Sequence, residues 1–320
     1  MSLRLVFMGT GDFAVPALKA LHGAGHALAL VVCQPDRPRG RGHQLQAPPL
    51  KQAALELGLE VFQPEKLRAP EAVERLVAAN ADLGCVVSYG QILSQAALDA
   101  PRLGCLNVHG SLLPRWRGAA PIEWALAEGD RETGVCVQRM ALKLDAGDVI
   151  LSVKVPLGPQ DEAPALHQSL AVLGAEALLK VVAQIEAGNA AFQPQDEALA
   201  TYAPMLKKAD GFLDPAWTTQ KLVDRFRGFK ARPGAQIQVQ GGELLKVHAL
   251  SAGPVAKGVV GQLLQVDEAQ GFQVATADGS IWLSHVQPPS NKVMPAAAYA
   301  RGHQLKPGVQ FVCPVLAPVG

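Results

Sequence analysis

Asn107-Val108-His109 places an amide and an imidazole two residues apart at the end of an apolar run that begins at Gly104. In an extended strand, residues i and i+2 project from the same face. An Asn can donate a hydrogen bond to a developing oxyanion, while a His titrating near neutrality moves a proton beside it. The pairing suits transfer of an acyl-type group. Downstream, Leu144-Asp145-Ala146-Gly147-Asp148 sets carboxylates around a glycine turn after another apolar run, and the carboxylate nearest the imidazole would orient it. Leu112-Leu113-Pro114 would line a pocket for a flat ligand, with Gly118 leaving room for close backbone approach.

These residues need a scaffold, and the first half of the chain supplies one by alternation. Leu3–Met8, Ala27–Cys33, Leu59–Phe62, Leu83–Ser88 and Gly104–Val108 read as strands; Val15–His22, Leu50–Leu57, Glu71–Ala79 and Ile122–Glu128 carry helical patterns. Such an order predicts an α/β domain with a doubly wound, mostly parallel, Rossmann-like sheet. Val135–Met140 and Val149–Val155 extend the sheet, and Pro164–Ile185 closes it as a long helix. Ligands bind such sheets beyond the carboxyl ends of strands, where Asn107 and His109 fall.

The pattern changes after Gly188. Residues 189–206 are polar, contain prolines and lack periodicity, as expected of a linker between a first domain, 1–188, and a second, 207–320. A helix at Lys221–Phe229 precedes five strand candidates: Ala235–Val239, Leu244–Leu250, Val260–Val266, Phe272–Thr276 and Ile281–Val286. Short strands separated by Gly and Asp-Gly turns predict a small OB-like β-barrel. Residues 207–320 carry 12 Lys and Arg against 7 Asp and Glu, although the whole chain is nearly neutral at +1. A basic domain of this kind is compatible with a nucleic-acid partner.

The 320 residues, 49% of them hydrophobic, are enough for two sizeable cores. Leu3–Met8 is too short for a signal-peptide core, and no later apolar stretch is expected to span a bilayer, so a cytoplasmic monomer without membrane contact is expected. Five cysteines, odd in number and without a Cys-X-X-Cys pair, read as reduced thiols. His22 and His26 are four apart, but Gly23 and Gly25 disrupt a zinc-binding helix, and no metal is expected. Ser111 lacks the Gly-X-Ser-X-Gly elbow of serine hydrolases.

Gly9-Thr10-Gly11-Asp12-Phe13-Ala14 follows the first strand and fits a dinucleotide fingerprint, with Asp36 near the place of a ribose-binding carboxylate. An NAD-dependent oxidoreductase is therefore one reading. Asp36, however, sits in Gln34-Pro35-Asp36-Arg37-Pro38-Arg39-Gly40-Arg41-Gly42, which reads as a long basic loop rather than a strand end.

The run from Asn107 to Pro121, together with the Asp145 loop, resembles the active-site signature of the folate-dependent formyltransferases. The resemblance implies a catalytic trio of Asn107, His109 and Asp145, with a tetrahydrofolate site at Ser111, Leu112, Leu113 and Pro114 and at Ile92 and Leu93. It implies 10-formyltetrahydrofolate as formyl donor. The basic loop is similar to an insertion found in those members that act on initiator methionyl-tRNA, which places Arg37, Arg39 and Arg41 at the tRNA. Guanidinium groups contact phosphates and stack on bases, and glycines let the backbone rearrange on contact. A sugar-nucleotide N-formyltransferase shares the signature and is the alternative acceptor class. Gly11 stands where the family commonly has proline.

Overall fold

Apolar runs bounded by glycine turns become strands, and amphipathic runs with proline in the first turn become helices. The computed structural model describes residues 2–39 and 44–314. Its elements begin with β1 (Arg4–Gly9), α1 (Val15–Gly23), β2 (Ala27–Val32), β3 (Arg37–Arg39), β4 (Gln44–Gln46), α2 (Pro49–Glu56), β5 (Val61–Phe62) and α3 (Pro70–Ala78). Then come β6 (Leu83–Val87), α4 (Gln95–Asp99), β7 (Cys105–His109), β8 (Arg117–Gly118), α5 (Pro121–Ala127), β9 (Glu132–Arg139), β10 (Val149–Pro156), α6 (Ala163–Glu186) and β11 (Tyr202–Ala203). The remainder is α7 (Thr219–Phe229), β12 (Gln236–Val239), β13 (Leu244–Ala252), β14 (Leu263–Asp267), β15 (Gly271–Ala275), β16 (Ser280–Gln287), β17 (Met294–Pro295), α8 (Ala296–His303) and β18 (Phe311–Val312).

The chain divides into two compact units. The first comprises Met1–Pro121, Glu132–Pro156 and Ala165–Ala203; the second comprises Ile122–Arg131, Leu157–Pro164 and Pro204–Gly320.

In the first unit a seven-stranded sheet runs β10-β9-β7-β6-β1-β2-β5. Strands β7, β6, β1, β2 and β5 are parallel, while β9 and β10 are antiparallel additions. Leu5, Val6, Phe7 and Met8 of central β1 are all buried, as a strand covered on both faces requires. Helix α6 covers part of the sheet: Leu170, Leu178, Val181 and Val182 are fully buried, and a Cβ on Gly174 would stand 2.7 Å from Val108 Cγ1. By length and composition α6 could cross a membrane, which corrects the expectation that no stretch reaches that length; its apolar side is instead core of this unit.

Residues 189–203, part of the segment read as a linker, pair with the first unit. Gln193 bridges Val149, and β11 lies parallel to β8, with Arg117 N donating to Thr201 O at 2.9 Å. Two-residue strands carry no periodicity, so the sequence offered no pattern to read there.

The second unit contains a curled antiparallel sheet in the order β14-β15-β16-β13-β12-β18, with β17 on β16. Its two edges meet. Leu263 N donates to Val309 O at 2.7 Å, Phe311 N donates to Gly261 O at 2.7 Å, and Gln262 bridges Gln310. Ile237, Leu245, Phe272, Ile281, Leu283 and Phe311 form its core, each fully buried aromatic or aliphatic side chain contributing about 1.5–3 kcal/mol. Helix α8 and strand β18 were not predicted: an alanine-rich stretch beside prolines and a two-residue strand carry little pattern.

Candidate active site

Register builds the site. Asn107 and His109 alternate with Val108 on β7, so the two polar side chains share one face while Val108 packs against α6 on the other. Asn107 pairs with Gln138 across the β7–β9 ladder. Asp145 comes from the loop between β9 and β10, at φ +46°. Its Oδ1 accepts from Asn107 Nδ2 at 3.3 Å and from Gln138 Nε2 at 3.1 Å; its Oδ2 accepts from Gly118 N at 2.9 Å and lies 3.7 Å from His109 Nδ1. The three residues named from sequence are therefore together.

His109 is buried and its Nε2 stands 2.8 Å from Trp116 O. A carbonyl only accepts, so Nε2 carries the hydrogen. Trp116 adopts φ +62°, a conformation costing about 1–3 kcal/mol for a bulky residue. It is held there by Thr201 Oγ1, which accepts from Trp116 N at 2.9 Å, and the Arg115 guanidinium lies 4.5 Å from the ring centre. Gly118, at φ +122°, has no room for a side chain: a Cβ would lie 2.6 Å from Ala203 O. The close backbone approach read at Gly118 is thus made by β11.

The remaining residues named from sequence have distinct surroundings. Ser111 is fully buried and its hydroxyl donates to Arg115 O at 2.6 Å, which caps the turn. Leu112, Leu113 and Pro114 are half-buried, and Leu113 N donates to Cys136 Sγ at 3.3 Å. Leu93 packs in the core with Leu67, Tyr89 and Leu98, while neighbouring Ile92 is 84% exposed. Arg37 is half-exposed and pairs with Glu65 at 2.6 Å. Arg39 ends β3, and Arg41 lies outside the described residues.

At the first turn, Gly9 is required because a Cβ would meet Ala14 and Val87 O at 2.7 Å, whereas Gly11 has open space and an ordinary φ. Asp36 accepts from Gln63 Nε2 at 2.7 Å and from Lys51 Nζ at 2.8 Å, and these two partners hold its carboxyl below the usual range. Its acceptor atoms are engaged within the protein. Among the described residues, no group of three His, Cys, Asp or Glu could hold a metal ion.

Sequence reasoning missed four polar neighbours: Gln138, Gln195, Arg117 and Glu197. Gln138 left a faint signal as the polar residue ending Val135-Cys136-Val137-Gln138. Gln195 and Glu197 lie within the apparent linker, and Arg117, in the run from Asn107 to Pro121, acquires its meaning only through contacts with them some 78 and 80 residues away.

Residues 3–182 match the family model for formyl transferase, and residues 205–304 match that for the formyl transferase C-terminal domain. The chain belongs to the formyl transferase family. A methionyl-tRNA formyltransferase of Moorella thermoacetica is 46% identical over 312 residues, 97% of this chain and 100% of that protein. The fold also resembles HypX from Aquifex aeolicus solved with tetrahydrofolic acid, at TM-score 0.63 and 18% identity over 94% of this chain and 47% of HypX. An N-formyltransferase from Helicobacter canadensis, in complex with folinic acid and dTDP-3-aminofucose, is similar at TM-score 0.65 and 15% identity, over 90% of this chain and 100% of that one. Family membership removes the oxidoreductase reading of the first turn. In this formyl transferase Gly9 lets the end of β1 lie close to Ala14 and to Val87 O of β6.

Proposed function

We propose that this formyl transferase moves the formyl group of 10-formyltetrahydrofolate to the α-amino group of initiator methionyl-tRNA, as a cytoplasmic monomer acting in initiation of translation. The observation that carries the reading is the 46% identity, along its entire length, to a protein named for that reaction. The clustering of Asn107, His109 and Asp145 in one unit supports it chemically.

Asn107 Nδ2 has two hydrogens, one directed to Asp145 at 3.3 Å and one able to meet negative charge developing on the formyl oxygen. Trp116 O occupies the Nε2 hydrogen of His109, so proton exchange falls to Nδ1, which faces Asp145 Oδ2. Protonated there, the imidazole adds positive charge beside the same oxygen. Asp145 stabilises that imidazolium and helps move the proton released by the attacking amine to the folate nitrogen, which leaves with the electron pair of its bond to the formyl carbon as tetrahydrofolate.

For the folate, the half-buried apolar Leu112, Leu113 and Pro114 begin three residues after His109 and offer a face for a flat ring. We assign Ser111 to shaping that turn, and Ile92 and Leu93 to its border. The curled sheet belongs in our reading to the OB type, with 207–320 holding the tRNA backbone, 1–188 performing the chemistry, and Arg37, Arg39 and Arg41 near the acceptor end.

The deciding experiment incubates the protein with 10-formyltetrahydrofolate and charged tRNA and assays formylmethionine. Product is expected with methionyl-tRNA and not with an amino-sugar nucleotide. The opposite pattern transfers the assignment to sugar nucleotides.

A further inference from the structure

The Arg117 side chain is fully buried. Its Nε and Nη2 donate to Gln195 Oε1 at 3.1 and 2.8 Å, and its Nη1 and Nη2 donate to the Glu197 carboxylate at 3.1 and 3.0 Å. A guanidinium only donates, so the Gln195 carbonyl oxygen must face it. The Gln195 amide nitrogen is thereby turned to the Asp145 loop, where it donates to Asp145 O at 2.9 Å and Gly147 O at 2.7 Å. Glu197 meets the same loop by a second route, accepting from Lys143 Nζ at 2.6 Å.

The loop needs such restraint. Asp145 sits at φ +46°, a conformation of a non-glycine residue that persists only when its surroundings over-determine it. Its backbone carbonyl is held by Gln195, while its carboxylate reaches Asn107, Gln138 and Gly118. If the Gln195 amide were turned over, its oxygen would oppose two carbonyl oxygens, and Arg117 would lose an acceptor while buried.

We propose that Gln195, with its amide oriented by Arg117, is a positioning residue for formyl transfer: it fixes the Asp145 backbone so that the carboxylate stands beside His109 Nδ1. The proposal rests on the formyl-transfer reading of the trio. It assigns a role in the reaction to a residue some 50 positions along the chain from Asp145, in a segment that resembles a linker.

Two full-length variants test it. Gln195→Glu keeps an acceptor for Arg117 but sets an oxygen against the two loop carbonyls; Gln195→Leu removes both functions. The measurements are kcat and KM for 10-formyltetrahydrofolate and methionyl-tRNA, thermal melting, and the imidazole nitrogen resonances of His109 in protein carrying nitrogen-labelled histidine. For each variant that melts cooperatively, a fall in kcat of about 10²-fold is expected, the scale of a misplacement near 1 Å, with both KM values little changed. The His109 Nδ1 resonance should move. Undiminished kcat, or reduced kcat with unmoved His109 resonances, overturns the proposal. Wild-type protein that forms no formylmethionyl-tRNA would instead sink the substrate reading, and the resonance comparison would still decide whether Gln195 positions Asp145.

Discussion

His109 is held by the backbone of Trp116: the imidazole Nε2 lies 2.8 Å from the Trp116 carbonyl, whereas Asp145 Oδ2 stands 3.7 Å from Nδ1. The sequence suggested that a carboxylate orients the ring. In the structure a carbonyl anchors one nitrogen, and the carboxylate waits beside the other. The tautomer is fixed without spending the acidic group, which on the proposed mechanism serves the proton in transit.

On the proposed mechanism each member of the trio has a separate task. His109→Ala, Asn107→Ala and Asp145→Ala should each lower turnover by roughly 10²–10⁴-fold, the scale for losing an acid–base group or an oxyanion donor. Circular dichroism should show the fold retained. Near-normal turnover in folded His109→Ala would remove the imidazole from the mechanism.

Gly118→Ala tests the seam between β8 and β11. The new methyl would lie 2.6 Å from Ala203 O at a backbone angle of φ +122°. We expect a loss of about 1–3 kcal/mol or more from strain and overlap, read as a lower melting temperature. Turnover should drop as well, because Gly118 N is a donor to Asp145. An unchanged melting temperature would mean that β11 moves aside without cost.

Glu197 links acid stability to the same region. Hydrogen bonds from Arg117, and then from Lys143, hold its carboxyl at about 2, below its ordinary value of 4.5. A group depressed on folding contributes stability that is fully present above its unfolded value and is lost as pH falls through its folded one. The stability difference between wild type and Glu197→Gln should therefore be constant above about pH 4.5 and close between there and pH 2. Denaturant unfolding followed across that range measures it. A difference that persists undiminished at pH 2 would exclude ionisation as its source.

The polynucleotide contacts should separate by kind. Affinity of the full-length protein for tRNA should fall as salt rises, through counterion release from phosphates. Arg41→Ala should reduce kcat/KM on methionyl-tRNA while folate binding, followed by calorimetry, is intact. Full kcat/KM in that variant would make the basic loop a bystander.

Much of this is legible in the sequence alone. Strands β1, β2, β6 and β7 are apolar runs set off by glycines, and Asn107 and His109 announce themselves as polar residues at the end of such a run. The carboxylate at Asp145 was visible because a glycine turn surrounds it. What stayed hidden depends on contacts without local pattern. Trp116 adopts a positive φ that a bulky residue disfavours, so tertiary restraint explains it, and Asp145, of a type that tolerates that region more readily, gives no local sign of adopting it. Gln195 and Thr201 lie in a polar stretch whose composition signals a connector, yet their partners are Asp145 and Trp116. Ile92 and Leu93, read as a pair, diverge because one chain step turned Leu93 into the core and left Ile92 in solvent.

The pairing of β8 with β11 joins Trp116 to Thr201 across 85 residues. A nascent chain emerges from its N-terminus, so the trio is synthesised long before the strand that braces it. The three groups proposed to perform the transfer precede in the chain the residue that holds the Asp145 backbone carbonyl. If Gln195 positions Asp145 as proposed, competence follows the arrival of residues 195–203, and an interrupted chain ending at residue 188 is expected to carry the trio without the restraint that orients it.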